Sequence, residues 1–367
     1  MRHYRLGVFL VAFGLTSLGL ARAARFLPLG NLPGGDFSTA SDISADGRTV
    51  VGQSASNLGY QAFRWTEESG MIGLGFLPQS SPDSFAWGIS ADGATIVGEA
   101  AGDRSFVWTE ANGMQSLPLG SRAFATSNGG TRIVGVGPGV TYGRNVSPDG
   151  LFWVGGSSGP GSQAFRTTPG QLSILGDLPG FELFNSATAV TPDGQIVVGQ
   201  SRAVLDPDGR GFEVETDVAV YWHGISGPFV IGDLPNGGHG SIATDISWDA
   251  RVIVGAGESE FGSEAFRWTP WQGIRPLREL LLAEGIDVAG MGWQLVRAEA
   301  VSADGRFIVG HGSNPLGNVE GFIIELNVPE PSTLALFGGS LFACFLLQPK
   351  RLPLRDSLLR QPQKLLE

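Results

Sequence analysis

Five aspartates recur in one local setting: Asp46, Asp92, Asp149, Asp193 and Asp304. Two carboxylates flanking a sugar linkage can hydrolyse it, one as acid and the other as base or nucleophile. Here each Asp belongs to a repeated Ser-x-Asp-Gly, as in Ser44-Ala45-Asp46-Gly47, with Thr191-Pro192-Asp193-Gly194 as a close variant. A catalytic carboxylate is normally unique, whereas a turn residue returns with its turn. The five therefore read as structural turns, in which Asp bonds nearby backbone and Gly takes positive φ. The four histidines, His3, His223, His239 and His311, lie far apart and lack metal-ligand spacing. They read as solvated loop or strand-end side chains. Asp206-Pro207-Asp208-Gly209-Arg210-Gly211 resembles half of a calcium loop, but Arg210 stands where a further oxygen ligand belongs. An acidic loop insertion is the expectation there, with calcium as the alternative. No nucleophile elbow, phosphate loop or zinc motif occurs. No catalytic, cofactor-binding or metal-ligating residue is assigned, and no cofactor is expected.

The chain has 24 Lys and Arg against 35 Asp and Glu, a net charge of −11. Without the three arginines of the leader and the five basic and two acidic residues beyond Pro331, the body keeps 16 basic and 33 acidic residues, net −17. That excess disfavours nucleic acid and anionic lipid as partners of the body. The single cysteine, Cys344, lies outside the body, so no disulfide staples it. About 300 residues with abundant apolar side chains can bury a core instead.

The aspartates sit in a larger repeat. One copy runs from Ser38 through the Asp46-Gly47 turn to Val50-Val51-Gly52. It continues through Gln61-Ala62-Phe63-Arg64-Trp65-Thr66 and a Ser69-Gly70 turn to Met71-Ile72. Phe63 and Trp65 alternate with Ala62, Arg64 and Thr66, the period of a strand. Four short strands about every 50 residues predict a β-propeller blade, in an all-β fold of six or seven blades. Val-Gly pairs end seven hairpins, at Gly52, Gly98, Gly135, Gly155, Gly199, Gly255 and Gly310, whereas third and fourth strands each number six. The preferred count is six four-stranded blades plus an irregular pair at 122–137. Ser127-Asn128-Gly129-Gly130 and Ser247-Trp248-Asp249-Ala250 are degraded copies of the turn. Arg25-Phe26-Leu27-Pro28-Leu29 matches a fourth strand without a first three, and Glu320-Gly321-Phe322-Ile323-Ile324-Glu325 a third strand without a fourth. The N-terminal segment is therefore expected to close the last blade and remove a sheet edge. One helix is expected within 276–285, its leucines capping the propeller.

Residues 1–23 read as a signal peptide: Arg2 and Arg5, an apolar run from Leu6 to Leu20, then Ala21-Arg22-Ala23 as the small-x-small site for signal peptidase, with Ala24 as the mature start. Residues 24–327 form the propeller. Residues 328–367 hold Val328-Pro329-Glu330-Pro331, an apolar run from Leu334 to Leu347, and Lys350-Arg351. The prolines keep the motif extended and readable by an enzyme. The run is shorter than the roughly 20 residues of a full membrane span.

This tail resembles the PEP-CTERM sorting signal. The resemblance implies processing by an exosortase-type enzyme after transient membrane contact through the apolar helix. The body resembles the HAF repeat family of extracellular proteins, on Ala62-Phe63-Arg64-Trp65, Ala265-Phe266-Arg267-Trp268, Leu175-Gly176-Asp177-Leu178-Pro179-Gly180 and the Ser-Ala-Asp-Gly turns. The family's leading His is Gln61 or Glu264 here. The resemblance implies an exported repeat protein and supplies no reaction. The expected function is a non-enzymatic cell-surface or extracellular-matrix protein, with extracellular polysaccharide as the candidate ligand. The alternative is a secreted propeller hydrolase acting on polysaccharide. A non-repeating cluster of carboxylates or histidine at the channel mouth would mark the latter.

Overall fold

The computed structural model describes residues 23–328, apart from 79–81, 102–103, 118–121, 138–140, 157–161, 179–183 and 206–213. Among them are six four-stranded antiparallel sheets and one three-stranded sheet, each packed on the next around a ring. Blade 1 is Ser38–Ile43, Val50–Ser56, Gly59–Thr66 and Gly70–Gly73. Blade 2 begins at Ser84–Ile89, blade 3 at Asn145–Val146, blade 4 at Asn185–Val190, blade 5 at Ser241–Ile246 and blade 6 at Gln294–Val301. These first strands line the axis.

The repeated polar residues make each innermost hairpin. Ser44 Oγ donates to Asp46 Oδ1 at 2.6 Å and accepts from the Thr49 amide at 3.0 Å, while Asp46 Oδ1 also accepts from the Arg48 amide at 3.0 Å. The same bonds recur around Asp92, Asp149, Asp193 and Asp304. The degraded copy at Asp249 makes them too, although Ala250 takes the glycine position at φ 57°.

The alternation in the third strand has two buried sides. Phe63 and Trp65 pack with Ala300, Val309 and Ile323 of blade 6, whereas Ala62 and Val51 pack with Ile96 and Phe106 of blade 2. A large face therefore meets the small face of the preceding blade, which is how a ring of sheets excludes water without a disulfide.

Blade 6 is closed from the N-terminal side. Arg25–Pro28 runs antiparallel to Val319–Glu325, with Arg25 opposite Glu325 and Pro28 opposite Phe322, and the Leu29 amide donates to the Gly321 carbonyl at 2.9 Å. Ala24 and Val328 pack against one core cluster, so both ends of the body lie together. The Leu326 amide bonds the Arg306 carbonyl, which places these ends on the face formed by the Asp-Gly turns.

Two expectations are refined. The irregular pair, Arg122–Thr126 and Ile133–Val136, gains a third short strand, Thr141–Tyr142, parallel to the second. It takes its own place in the ring between blades 2 and 3. The helix spans Leu277–Ala283 and buries Leu277 and Leu281 beneath blades 5 and 6, while Leu282 faces solvent.

Candidate binding site on the propeller axis

Six of the seven Val-Gly glycines, all but Gly155, have a common cause. Gly52 lies across from Ala40, and a Cβ on it would sit 1.9 Å from the Thr39 carbonyl oxygen. On Gly255 the same atom would sit 2.0 Å from the Ile242 oxygen. The inner strand approaches this closely because it bulges: register shifts between Ala40 and Asp42, and between Ala243 and Asp245. Four more inner strands shift at the same point. A bulge re-aims the extra side chain.

The re-aimed residues are Ser41, Trp87, Phe124, Thr188, Thr244 and Glu299. Arg144 holds the matching position just before the shortest inner strand, its amide bonded to the Val154 carbonyl. All seven line one axial cavity of about 380 Å³. The scaffold around them repeats, yet this ring contains Ser, Trp, Phe, Arg, Thr, Thr and Glu. Aligning the repeats on their turns exposes it as the variable column, three residues before the Ser or Thr of each turn.

Several of the polar groups around the cavity are engaged in holding blades together. Asp42 accepts the Ile43 amide and, from blade 2, the Ile89 amide, each at 2.8 Å. Asp245 accepts the Ile246 amide and, from blade 6, the Val301 amide at the same distances. Thr188 and Thr244 donate to the Ala243 and Ala298 carbonyls of the next blade at 2.8 and 2.9 Å. Protein on every side of the axis pushes the carboxyls of Asp42 and Asp245 up to about 7, and the charge of Asp42 adds to the rise at Asp245.

Glu299 is held by the Arg297 guanidinium at 2.9 Å and lies 3.5 Å from His311 Nδ1. The second distance is an ion-pair separation without a hydrogen bond, and His311 Nδ1 is buried without a partner. Burial lowers the His311 pKa, outweighing the opposing pull of Glu299. The expectation of a solvated loop or strand-end position fails for this residue. His311 sits inside Phe307–Ser313, opposite Arg297, and faces the cavity. His223 does end a strand, and His239 is an exposed loop residue near Asp233.

Aromatic rings lead to the ring position of blade 2. Phe37 meets Tyr60 at 5.7 Å between ring centres, Tyr60 meets Phe85 at 6.3 Å, and Phe85 stacks on Trp87 at 6.3 Å. All four are partly exposed, Tyr60 most at 45%. Tyr60 is the second residue of the third strand and lies at its end remote from the Asp-Gly turns, the turn end being where Val50 pairs with Trp65. The track therefore runs inward from the face opposite the chain ends.

A larger cavity of about 930 Å³ lies where blade 1 meets blade 6. Its Arg25 pairs with Glu67 and its Arg306 with Glu325, the latter at 2.7 Å, so these four charges are spent on one another. Among the described residues no group of three or more His, Cys, Asp or Glu could hold a metal ion, and no helix is long and apolar enough to cross a membrane. Asp46, Asp92, Asp149, Asp193 and Asp304 sit in the turns, away from the axial cavity. Ala23 and Ala24 precede the closing strand, and Val328 packs on the core. Ala21, Pro329, Glu330, Pro331 and the 206–211 loop lie outside the described residues.

Comparison with curated proteins found no match. Similar solved structures include TolB from Acinetobacter baumannii, 13% identical over 81% of this chain and 66% of that one, with a TM-score of 0.41. A TolB candidate from Agrobacterium tumefaciens is 14% identical over 80% and 91%, TM-score 0.42. The oligogalacturonate lyase of Vibrio parahaemolyticus is 10% identical over 84% and 98%, TM-score 0.43. Residues 327–351 match the PEP-CTERM protein-sorting motif. The chain thus carries, directly after its propeller, a sorting motif that implies export, sorting at the membrane and processing by an exosortase-type system.

Proposed function

We propose that this chain is an exported, non-enzymatic HAF-type repeat protein of the cell surface or extracellular matrix, which binds polysaccharide at its axial cavity. The observation that carries the reading is the ring of seven side chains of six kinds on an otherwise repeating scaffold, reached by the track from Tyr60 to Trp87. Exposed aromatic faces suit sugar rings because they offer flat apolar area at little conformational cost, and the flanking polar groups fix orientation. Both ends of the propeller body lie on the opposite face. A molecule held by its tail therefore turns the aromatic face outward, toward polymer.

The hydrolase alternative draws on one observation, the Glu299 and His311 pair at the cavity. Against it, Glu299 is bound to Arg297, and both oxygens of Asp42 and Asp245 already accept backbone amides. A glycan array probed with the secreted protein tests the binding reading. Retained saccharides, lost on Trp87→Ala, support it. Release of reducing ends from a bound polysaccharide, abolished by Glu299→Gln, would replace it with the hydrolase.

A further inference from the structure

We infer that the axial cavity selects saccharides bearing a carboxylate, and that Arg144 is the residue that reads the charge. The inference rests on the binding reading above and narrows its ligand class.

It follows from a surplus of donors. The Arg144 guanidinium lies over the Phe124 ring, 4.9 Å from its centre, and has no carboxylate partner among the described residues. Trp87 Nε1 is buried without a hydrogen-bond partner. The carboxylates of the lining are engaged elsewhere. Asp42 and Asp245 take backbone amides, and Glu299 takes Arg297. The hydroxyl protons of Thr188 and Thr244 are committed to carbonyl oxygens. Arg144 is thus the cation of the lining left without a carboxylate, and the remaining hydroxyl and amide oxygens of the lining, on Thr39, Ser41, Gln53 and Asn145, are neutral.

Trp87 Nε1, a buried donor without a partner, forfeits its hydration, so a ligand that brings an acceptor recovers that loss, whereas Arg144 is exposed and exchanges water for the ligand. A carboxylate matches the planar fork of a guanidinium with two parallel bonds, and stacking on Phe124 holds the fork in place. The neutral sugar body can then lie along Trp87 and Phe85. The acidic groups do not prevent this: Glu299 is paired with Arg297, Asp42 and Asp245 accept backbone amides, and charges beyond about 8 Å are largely screened at physiological salt.

The test compares binding of uronic-acid oligosaccharides, the same oligosaccharides with their carboxyls reduced to alcohols, and sulfated oligosaccharides, by calorimetry on the secreted protein. The uronides should bind at least tenfold more tightly than their reduced forms. Arg144→Gln should remove that difference, bringing the uronides down to the affinity of their reduced forms in the same variant. Arg144→Lys should recover only part of it, since a point charge lacks the fork. Trp87→Phe, which removes the N–H and keeps the ring, should weaken uronide binding by a smaller factor. Equal binding of uronide and reduced forms, both lost on Trp87→Ala, would overturn the carboxylate inference and leave the binding reading standing. Tighter binding of the sulfated series with the same Arg144 dependence would also overturn it. Absence of binding by every saccharide, with an unchanged melting temperature, would sink both.

Discussion

Phe26 meets Trp293 edge to face, their ring centres 5.1 Å apart, and Phe26 also lies 6.1 Å from the Phe322 ring. One aromatic side chain thus fastens the N-terminal strand both to the segment entering blade 6 and to the strand it pairs with. The loop closed this way is long, but closure cost grows only logarithmically with length. Phe26→Ala should lower stability by about 2 kcal/mol, as expected for a partly buried ring. Deleting residues 24–30 should do more, because it also bares the edge of Val319–Glu325 and favours aggregation. Urea denaturation and light scattering test this. A truncated protein with unchanged midpoint that stays monomeric would contradict the closure.

Two substitutions at equivalent levels of the scaffold should act in opposite directions. Gly255→Ala drives a methyl into the Ile242 carbonyl and must flatten the bulge beside Thr244. We expect a loss of about 3 kcal/mol, the upper range for overpacking. Ala250→Gly should instead stabilise by about 0.5–1 kcal/mol, since Ala250 holds the left-handed conformation that its repeat partners give to glycine. Chemical denaturation of both variants checks the signs.

Stability should fall as pH rises through neutrality, contrary to the usual behaviour of carboxylates. Asp42 and Asp245 have folded values of about 7 against an ordinary 3.8. Between those values the folded state binds more protons than the unfolded state. Their contribution is fully present below about pH 4 and lost as pH climbs through 7. Asp149 works in the opposite sense: the Ser147 hydroxyl holds its pKa down, so its contribution is lost on acidification. The double variant Asp42→Asn with Asp245→Asn should be less stable overall, because each amide NH₂ faces a backbone N–H. Its midpoint should nevertheless lose the decline between pH 5 and 8. A wild-type midpoint that rises steadily over that range would refute the assignment.

Sorting should depend on the motif that follows Val328. Replacing Pro329-Glu330-Pro331 with alanines should leave an unprocessed, membrane-held form in a host with an exosortase system, seen as a larger band in the membrane fraction. Unchanged size and release would count against it. N-terminal sequencing of secreted protein should read Ala24-Arg25-Phe26, and recovery of Met1 would remove the signal peptide from the account.

The sequence by itself determined the parts that local chemistry dictates. Ser44, Asp46 and Gly47 make a turn wherever they fall together, and Phe63 with Trp65 mark a strand by period alone. Complementary deficits at Arg25–Pro28 and Val319–Glu325 made the closure legible, because an unpaired edge needs a partner. The site was not legible in the same way. His311 follows Val309-Gly310 and precedes Gly312-Ser313, a setting that resembles a strand end, and only its pairing with Arg297 turns it toward Glu299. Trp87, Phe124 and Arg144 belong to three different repeats, each three residues before its turn Ser, but they are of different types, so no motif marks them as one site. They meet because six inner strands bulge at one level, Arg144 enters its strand at the same level, and the ring brings these positions to one axis, a convergence that depends on the packing of large blade faces against small ones.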